Sequence, residues 1–99
     1  MSTRSKYIAQ FTEYLSVERN YSSHTVKAYV QDLVSYVFFV YGDSEDAIPL
    51  PSAKDLRKWV RDLALGDNSP KTIHRKVSSI RTYAKFLVSS GTVSAPIPL

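Results

Sequence analysis

Hydrophobic residues recur at helical spacing in four segments of the chain, and no segment shows the two-residue alternation of a half-buried strand. The first segment runs from about Ser5 to Arg19 and places Ile8, Phe11 and Leu15 on one helical face. The stretch "RNYSS" then breaks the pattern. We therefore predict a first helix that ends near Arg19.

The second segment, from about Ser23 to Tyr41, carries a longer apolar stripe. The stripe consists of Val26, Tyr29, Val30, Leu33 and Val37. The end of the segment, "VFFV", is apolar nearly all round the helix, so we expect Phe38, Phe39 and Val40 to be deeply buried.

Two more helices are predicted in the second half of the chain. The third starts at Ser52, and its apolar face consists of Leu56, Trp59, Val60 and Leu63. The fourth starts at Ser69, and its inner stripe consists of Ile73, Val77, Ile80, Ala84 and Leu87. The final stretch "TVSAPIPL" has two prolines within four residues, which favours an extended tail or linker over a packed element.

Capping residues support these boundaries. Ser22, Ser52 and Ser69 are suitable N-caps, because a serine hydroxyl accepts a hydrogen bond from a free N–H group of the first turn. Glycines at the other ends are typical helix stops, namely Gly42, Gly66 and Gly91. Four helices with short connections predict an all-α fold, a compact antiparallel four-helix bundle.

Positive charge is concentrated at the end of the chain. The net charge is +4, yet residues 69–99 alone carry five basic residues and no acidic one. A field of one sign indicates a polyanionic partner, and the alternative is a solvated basic face.

The sequence offers little for catalysis or metal binding. It has no cysteine, and neither His24 nor His74 has a second histidine at zinc-ligand spacing. The three glycines are too far apart for a phosphate-binding loop, and most of the seven tyrosines fall on or beside apolar stripes. We therefore expect no metal and no cofactor. No signal peptide and no membrane-spanning run is visible, so we also expect no membrane partner.

The side of the fourth helix opposite Ile73 is free of carboxylates. At 100° per residue the outward positions, with an adjacent stripe, are Lys71, His74, Arg75, Ser78, Ser79, Arg81, Thr82 and Lys85. These residue types dominate contacts to DNA phosphates, and free N–H groups at a helix start also favour an anion. The second helix has a similar but smaller set at its start; if both starts lie on one side of the bundle, they form a single anion-facing surface.

Two motifs resemble those of Xer-type tyrosine recombinases. "YLSVERNYSSHTVKAYVQDL", residues 14–33, is similar to the family pattern YL..ER..S..T...Y..DL. "SPKTIHRKVSSIRTYAKFLVSSG", residues 69–91, resembles S..T..R.LS.LR.FY.FL...G, with Val77 and Ala84 departing from the residues usual there.

The resemblance implies the N-terminal core-binding domain of such a recombinase, a SAM-like helical domain, in residues 1–95. Residues 96–99 would then begin the linker to a catalytic domain that the chain lacks, so the chain alone would not be an enzyme and none of its tyrosines would be the nucleophile. The implied function is to grip the double-stranded DNA core site and to help assemble the synaptic complex with other recombinase protomers, in the cytoplasm. Resolution of chromosome dimers and integration of a mobile element remain open.

The resemblance also supplies the candidate DNA-binding residues. On the second helix they are Ser23, His24, Thr25, Lys27 and Gln31. On the fourth helix they are Lys71, Thr72, His74, Arg75, Ser78, Arg81 and Thr82. Arg81 has an alternative role, a structural ion pair with Asp32. The alternative function for the whole chain is a helical protein-interaction module without DNA binding.

Overall fold

A serine hydroxyl caps the start of every α-helix in the computed structural model, which describes residues 1–99. The capping hydroxyls of Ser2, Ser22, Ser52 and Ser69 each accept a hydrogen bond from the N–H three residues later, at 3.1–3.3 Å. The elements are α1 (Thr3–Glu13), a π-helical turn (Tyr14–Glu18), α2 (Ser23–Tyr41), α3 (Ala53–Leu65) and α4 (Pro70–Ser89). There is no β-strand, and the predicted all-α class is confirmed.

The chain divides into two compact units. The first, Met1–Pro49, holds α1, the π-helical turn and α2, and α1 packs against α2. The second, Leu50–Leu99, holds α3, α4 and the C-terminal tail, and α3 packs against α4. Each unit is therefore built around one pair of helices.

The end of the first helix differs from the prediction. The α-helix stops at Glu13, and the chain continues as a π-helical turn in which the Arg19 N–H donates to the Tyr14 carbonyl at 3.0 Å, five residues back. Asn20 then adopts a left-handed conformation with φ 52°, which ends the helix. The Arg19 guanidinium donates to the Tyr21 hydroxyl at 3.0 Å, and this bond raises the pKa of Arg19 above its usual range. The periodicity of Ile8, Phe11 and Leu15 could not reveal the extra residue in the turn.

The expected burial at the end of α2 is wrong. Val37 is buried, but Phe38 is 59% exposed and Phe39 is 40% exposed, while Val40 is half-buried. The buried face of α2 is formed by Val26, Asp32, Leu33, Tyr36 and Val37. Four consecutive apolar residues point to all sides of a helix, so the side that faces solvent keeps its phenylalanine exposed.

The buried side of the second unit carries its largest aromatic residues. Trp59 of α3 is 2% exposed, and Ile80, Tyr83 and Leu87 of α4 have no exposed surface. The Lys76 ammonium lies 5.8 Å from the centre of the Trp59 ring, in cation–π range. This contact holds α4 to α3 and draws Lys76 away from the exposed side of α4.

The C-terminal tail packs along α4, which the sequence did not indicate. Gly91 turns the chain with φ 78°, and the N–H groups of Thr92 and Val93 both donate to the Leu87 carbonyl, at 3.0 and 3.2 Å. Pro96 and Ile97 then line a groove of about 470 Å³ together with side chains of α4. The tail is irregular, as expected from its prolines, and the start of a linker at residue 96 stays a prediction.

Candidate nucleic-acid interface

The exposed side of α4 is basic along most of its length. The exposed cations and histidine are Lys71, His74, Arg75, Arg81 and Lys85. Two further predicted residues, Thr72 and Ser78, are half-buried at the border of this face. Because α4 contains no acidic residue, nothing on the helix opposes the approach of a phosphate.

Two hydroxyl residues of α4 do not lie where the sequence placed them. Thr82 is 8% exposed and Ser79 is fully buried, so the predicted outward projection of both is wrong. The buried stripe is centred near Ile80 and Tyr83, not on Ile73, and this rotates Ser79 and Thr82 inward. The Ser79 hydroxyl is satisfied within the helix, because it donates to the Arg75 carbonyl at 3.1 Å.

Few backbone N–H groups at the start of α4 are free to bind an anion. Pro70 has no N–H, the Thr72 N–H donates to the Ser69 hydroxyl at 3.2 Å, and the Ile73 N–H donates to the Ser69 carbonyl. The N–H of Lys71 therefore remains available, beside the exposed Lys71 side chain. Anion attraction at this end comes mainly from side-chain charge, with one backbone donor to assist.

The start of α2 has more free backbone N–H groups than the start of α4. Its cap uses the N–H of Thr25, which donates to the Ser22 hydroxyl at 3.3 Å, and the N–H of Val26, which donates to the Ser22 carbonyl. The N–H groups of Ser23 and His24 remain available in the first turn, and both side chains are exposed. Thr25 is half-buried, and its hydroxyl accepts from Ser22 at 3.0 Å.

Three of the predicted α2 residues share one groove. Ser23, Lys27 and Gln31 line a groove of about 510 Å³ in the first unit, opposite Thr12 and Ser16. All three side chains are exposed, and Lys27 is the only cation among the lining residues. The groove thus presents hydroxyl, amide and ammonium groups, all of which can donate to a phosphate or to a base edge.

No group of three or more His, Cys, Asp or Glu side chains is placed to hold a metal ion. None of the helices combines the length and the apolar character that crossing a membrane requires. Asp32 is 1% exposed whereas Arg81 is exposed, and the ion pair between them stays a prediction.

A further basic surface lies on α3, and the sequence-based prediction omits it. Lys54, Arg57, Lys58 and Arg61 are all exposed, at the i, i+3, i+4, i+7 positions of one helical face. We call these four residues the α3 basic stripe. Their spacing is visible in the sequence, but the net charge of the segment does not reveal the stripe, because acidic residues of the same segment cancel most of its charge.

Comparisons with known proteins agree with these features. Residues 8–91 match the model of the family described as phage integrase, N-terminal SAM-like domain. The tyrosine recombinase XerC of Oceanobacillus iheyensis is 34% identical over 87 residues, which cover 88% of this chain and 28% of that protein. The tyrosine recombinase XerD of Rickettsia prowazekii is 31% identical over 84 residues, which cover 85% of this chain and 27% of that protein.

A longer match is found with the tyrosine recombinase XerC of Listeria monocytogenes, which is 31% identical over 94 residues, or 95% of this chain and 31% of that protein. The chain thus spans less than a third of the length of these curated relatives. No solved structure gives a significant match. The family model covers most of the chain, from within α1 to the end of α4, so the chain belongs to the phage integrase N-terminal SAM-like domain family, the N-terminal domain of Xer-type tyrosine recombinases.

Proposed function

We propose that this chain is the DNA-binding domain of a site-specific tyrosine recombinase. Its role is to grip the double-stranded core recombination site and to help assemble the synaptic complex with other recombinase protomers, in the bacterial cytoplasm. The contacts to DNA need no metal or cofactor, because they are made by cations, hydroxyls and backbone N–H groups of the chain itself.

The observation that carries this proposal is the acid-free exposed face of α4. Lys71, Arg75 and Arg81 are exposed on a helix without a single carboxylate. Lys and Arg neutralise phosphates and release their counterions, which supplies most of the affinity of a protein for duplex DNA. Arg and Lys can also donate to the O6 and N7 acceptors of guanine in the major groove. A helix of this composition is suited to both kinds of contact.

The first unit carries a set of donors of its own, which we also assign to DNA. Ser23, His24 and Lys27 are exposed at the start of α2, where two backbone N–H groups remain available. We assign the phosphate contacts of this unit to them, and a contact to a base edge or phosphate to Gln31. Thr82 is left out of the proposed surface because it is buried.

Strand cleavage belongs, in this proposal, to the part of the parent protein outside the chain. The relatives are named tyrosine recombinases, and the chain matches less than a third of their length. Two of its tyrosines, Tyr36 and Tyr83, are 1% and 0% exposed and cannot reach a phosphodiester in the folded domain. The chain acts by positioning DNA for a nucleophile that another domain provides.

One observation favours the alternative, a protein-interaction module. Val34 is 46% exposed and Phe38 is 59% exposed, and the two lie one turn apart on α2. Exposed apolar residues at helical spacing are typical of helix-docking surfaces. This observation concerns the C-terminal half of α2, whereas the basic groups lie elsewhere, so both activities could be carried by one domain.

Fluorescence anisotropy with a labelled duplex tests the proposal. Lys71→Ala combined with Arg75→Ala should weaken binding roughly ten- to a hundredfold at about 100 mM salt, because two phosphate contacts are lost. The control, Lys6→Ala, removes a charge from an exposed position of α1, to which the proposal gives no DNA contact, and should change the affinity far less. Far-UV circular dichroism checks that each variant is folded.

Equal affinity of the wild type and the Lys71/Arg75 variant would remove α4 from the proposed interface. Absence of any binding to duplex DNA at about 50 mM salt would favour the protein-interaction module instead.

A further inference from the structure

The α3 basic stripe is an unneutralised row of cations. Lys54, Arg57, Lys58 and Arg61 are exposed, and the structure gives none of them a hydrogen-bond or ion-pair partner. Lys54 lies three or four residues before Arg57 and Lys58, and Arg61 lies three or four residues after them. Like charges at these spacings on a helix repel one another. Folding alone gains nothing from such a row, so its charge is available to a partner.

The acidic residues of α3 offset this row only at Lys58, which lies three residues after Asp55 and four before Asp62. Asp55 and Asp62 are seven residues apart and share a different side of the helix, between the stripe and the buried face of Leu56 and Trp59. Asp55 is half-buried in the first turn, where its N–H donates to the Ser52 hydroxyl. A carboxylate in the first turn interacts favourably with the helix dipole and so stabilises the start of α3.

The stripe borders the exposed face of α4 across one groove. Arg57 and Arg61 of α3 and Arg81 of α4 line this groove, whose volume is about 510 Å³ and whose other lining side chains are aliphatic. Three arginine side chains thus line one largely apolar groove. The basic surface of α3 is therefore continuous with the surface that the proposed function assigns to DNA.

The stripe is long enough to face more than one phosphate of a DNA strand. Lys54 and Arg61 are seven residues apart, which corresponds to about 10.5 Å along a helix at about 1.5 Å per residue. Each strand of a duplex carries one phosphate per about 3.4 Å of axis, so a stripe of this length that ran along the axis would face about three of them. Flexible lysine and arginine side chains can follow such a row without a fixed register.

We propose that the α3 basic stripe is a second phosphate-contacting surface, so that the second unit holds the DNA backbone with two helices and not with α4 alone. This inference rests on the proposed DNA-binding function. Duplex DNA is favoured over an acidic protein segment because Arg57 and Arg61 share their groove with Arg81 of the proposed DNA-binding face.

The salt dependence of DNA binding tests this inference. Arg57→Gln combined with Arg61→Gln keeps the helix propensity and removes two charges from the stripe. The slope of log K against log salt, measured by anisotropy with a labelled duplex between about 50 and 300 mM salt, should become shallower by about 1.8, since each phosphate contact contributes about 0.9. The control variant, Lys6→Gln, removes a charge from an exposed position of α1 and should keep the wild-type slope.

Each outcome has a separate meaning. If the wild type binds DNA and the Arg57/Arg61 variant keeps the wild-type slope and affinity, the α3 surface is refuted and the proposed function stands. If the wild type does not bind at about 50 mM salt, the proposed function fails and the α3 surface fails with it. If the variant keeps its DNA affinity but loses affinity for polyglutamate, the stripe serves an acidic protein segment and the inference is overturned.

A second variant covers a failure to fold. If circular dichroism shows that the Arg57/Arg61 variant is unfolded, Lys54→Gln with Lys58→Gln removes two charges from the same stripe, and the same loss of slope is expected. An unchanged slope in that variant would also refute the α3 surface.

Discussion

At the scale of single residues, two glycines end helices in different ways. Gly42 follows α2 with φ 59° and ψ −133°, a conformation that is strained for any residue with a Cβ atom. Gly66 follows α3 with φ −86° and ψ 17°, which other residues adopt readily. Both were recognised from the sequence as helix stops, but only Gly42 requires glycine for its backbone.

Replacing Gly42 with alanine should therefore destabilise the protein, while the same change at Gly66 should not. A Cβ added at Gly42 meets no atom within 4 Å, so the expected loss of about 1–2 kcal/mol in the free energy of unfolding is entirely conformational. Gly66→Ala places its Cβ 3.4 Å from the Asp62 carbonyl oxygen and should change the free energy by less than about 0.5 kcal/mol. Urea denaturation measures both, and equal losses would contradict the conformational explanation.

At the scale of elements, the starts of the helices could be predicted and the rotation of their faces could not. A cap depends on a serine and on the N–H three residues later, so Ser22, Ser52 and Ser69 were identified from local sequence alone. The buried side of α4 depends on what packs against it, and choosing Ile73 as its centre placed Thr82 outside when it is buried. The π-helical turn at Tyr14 likewise depends on one extra residue that the periodicity does not show.

The two faces of α2 should respond very differently to truncation. Leu33 has no exposed surface, and Leu33→Ala should cost about 2–5 kcal/mol of unfolding free energy because it leaves a cavity. Phe38 is 59% exposed, and Phe38→Ala should cost less than about 1 kcal/mol although it removes more atoms. Thermal and urea unfolding compare the two, and a larger loss for Phe38 would show that this side chain is buried in solution.

At the scale of the whole molecule, the distribution of charge indicated α4 as a candidate surface, and the motifs indicated the residues on α2. Five basic residues and no acidic one in residues 69–99 indicated a polyanionic partner, and most of these cations are exposed on α4. The net charge of a segment does not show the α3 basic stripe, because it adds the acidic residues of one face to the basic residues of another. The family resemblance pointed to DNA as the partner, and it could not supply the exposure of individual side chains.

The most direct measurement of the central claim is the map of backbone amide shifts when duplex DNA is added to the ¹⁵N-labelled chain, which at 11.2 kDa suits solution NMR. We expect the largest changes in amide chemical shift at Lys71, His74 and Arg75 of α4 and at Ser23 and His24 of α2, with smaller ones along the α3 basic stripe. All of them should fade as salt is raised from about 50 to 300 mM. Shifts confined to the exposed apolar part of α2 around Phe38, or no shifts at low salt, would contradict it.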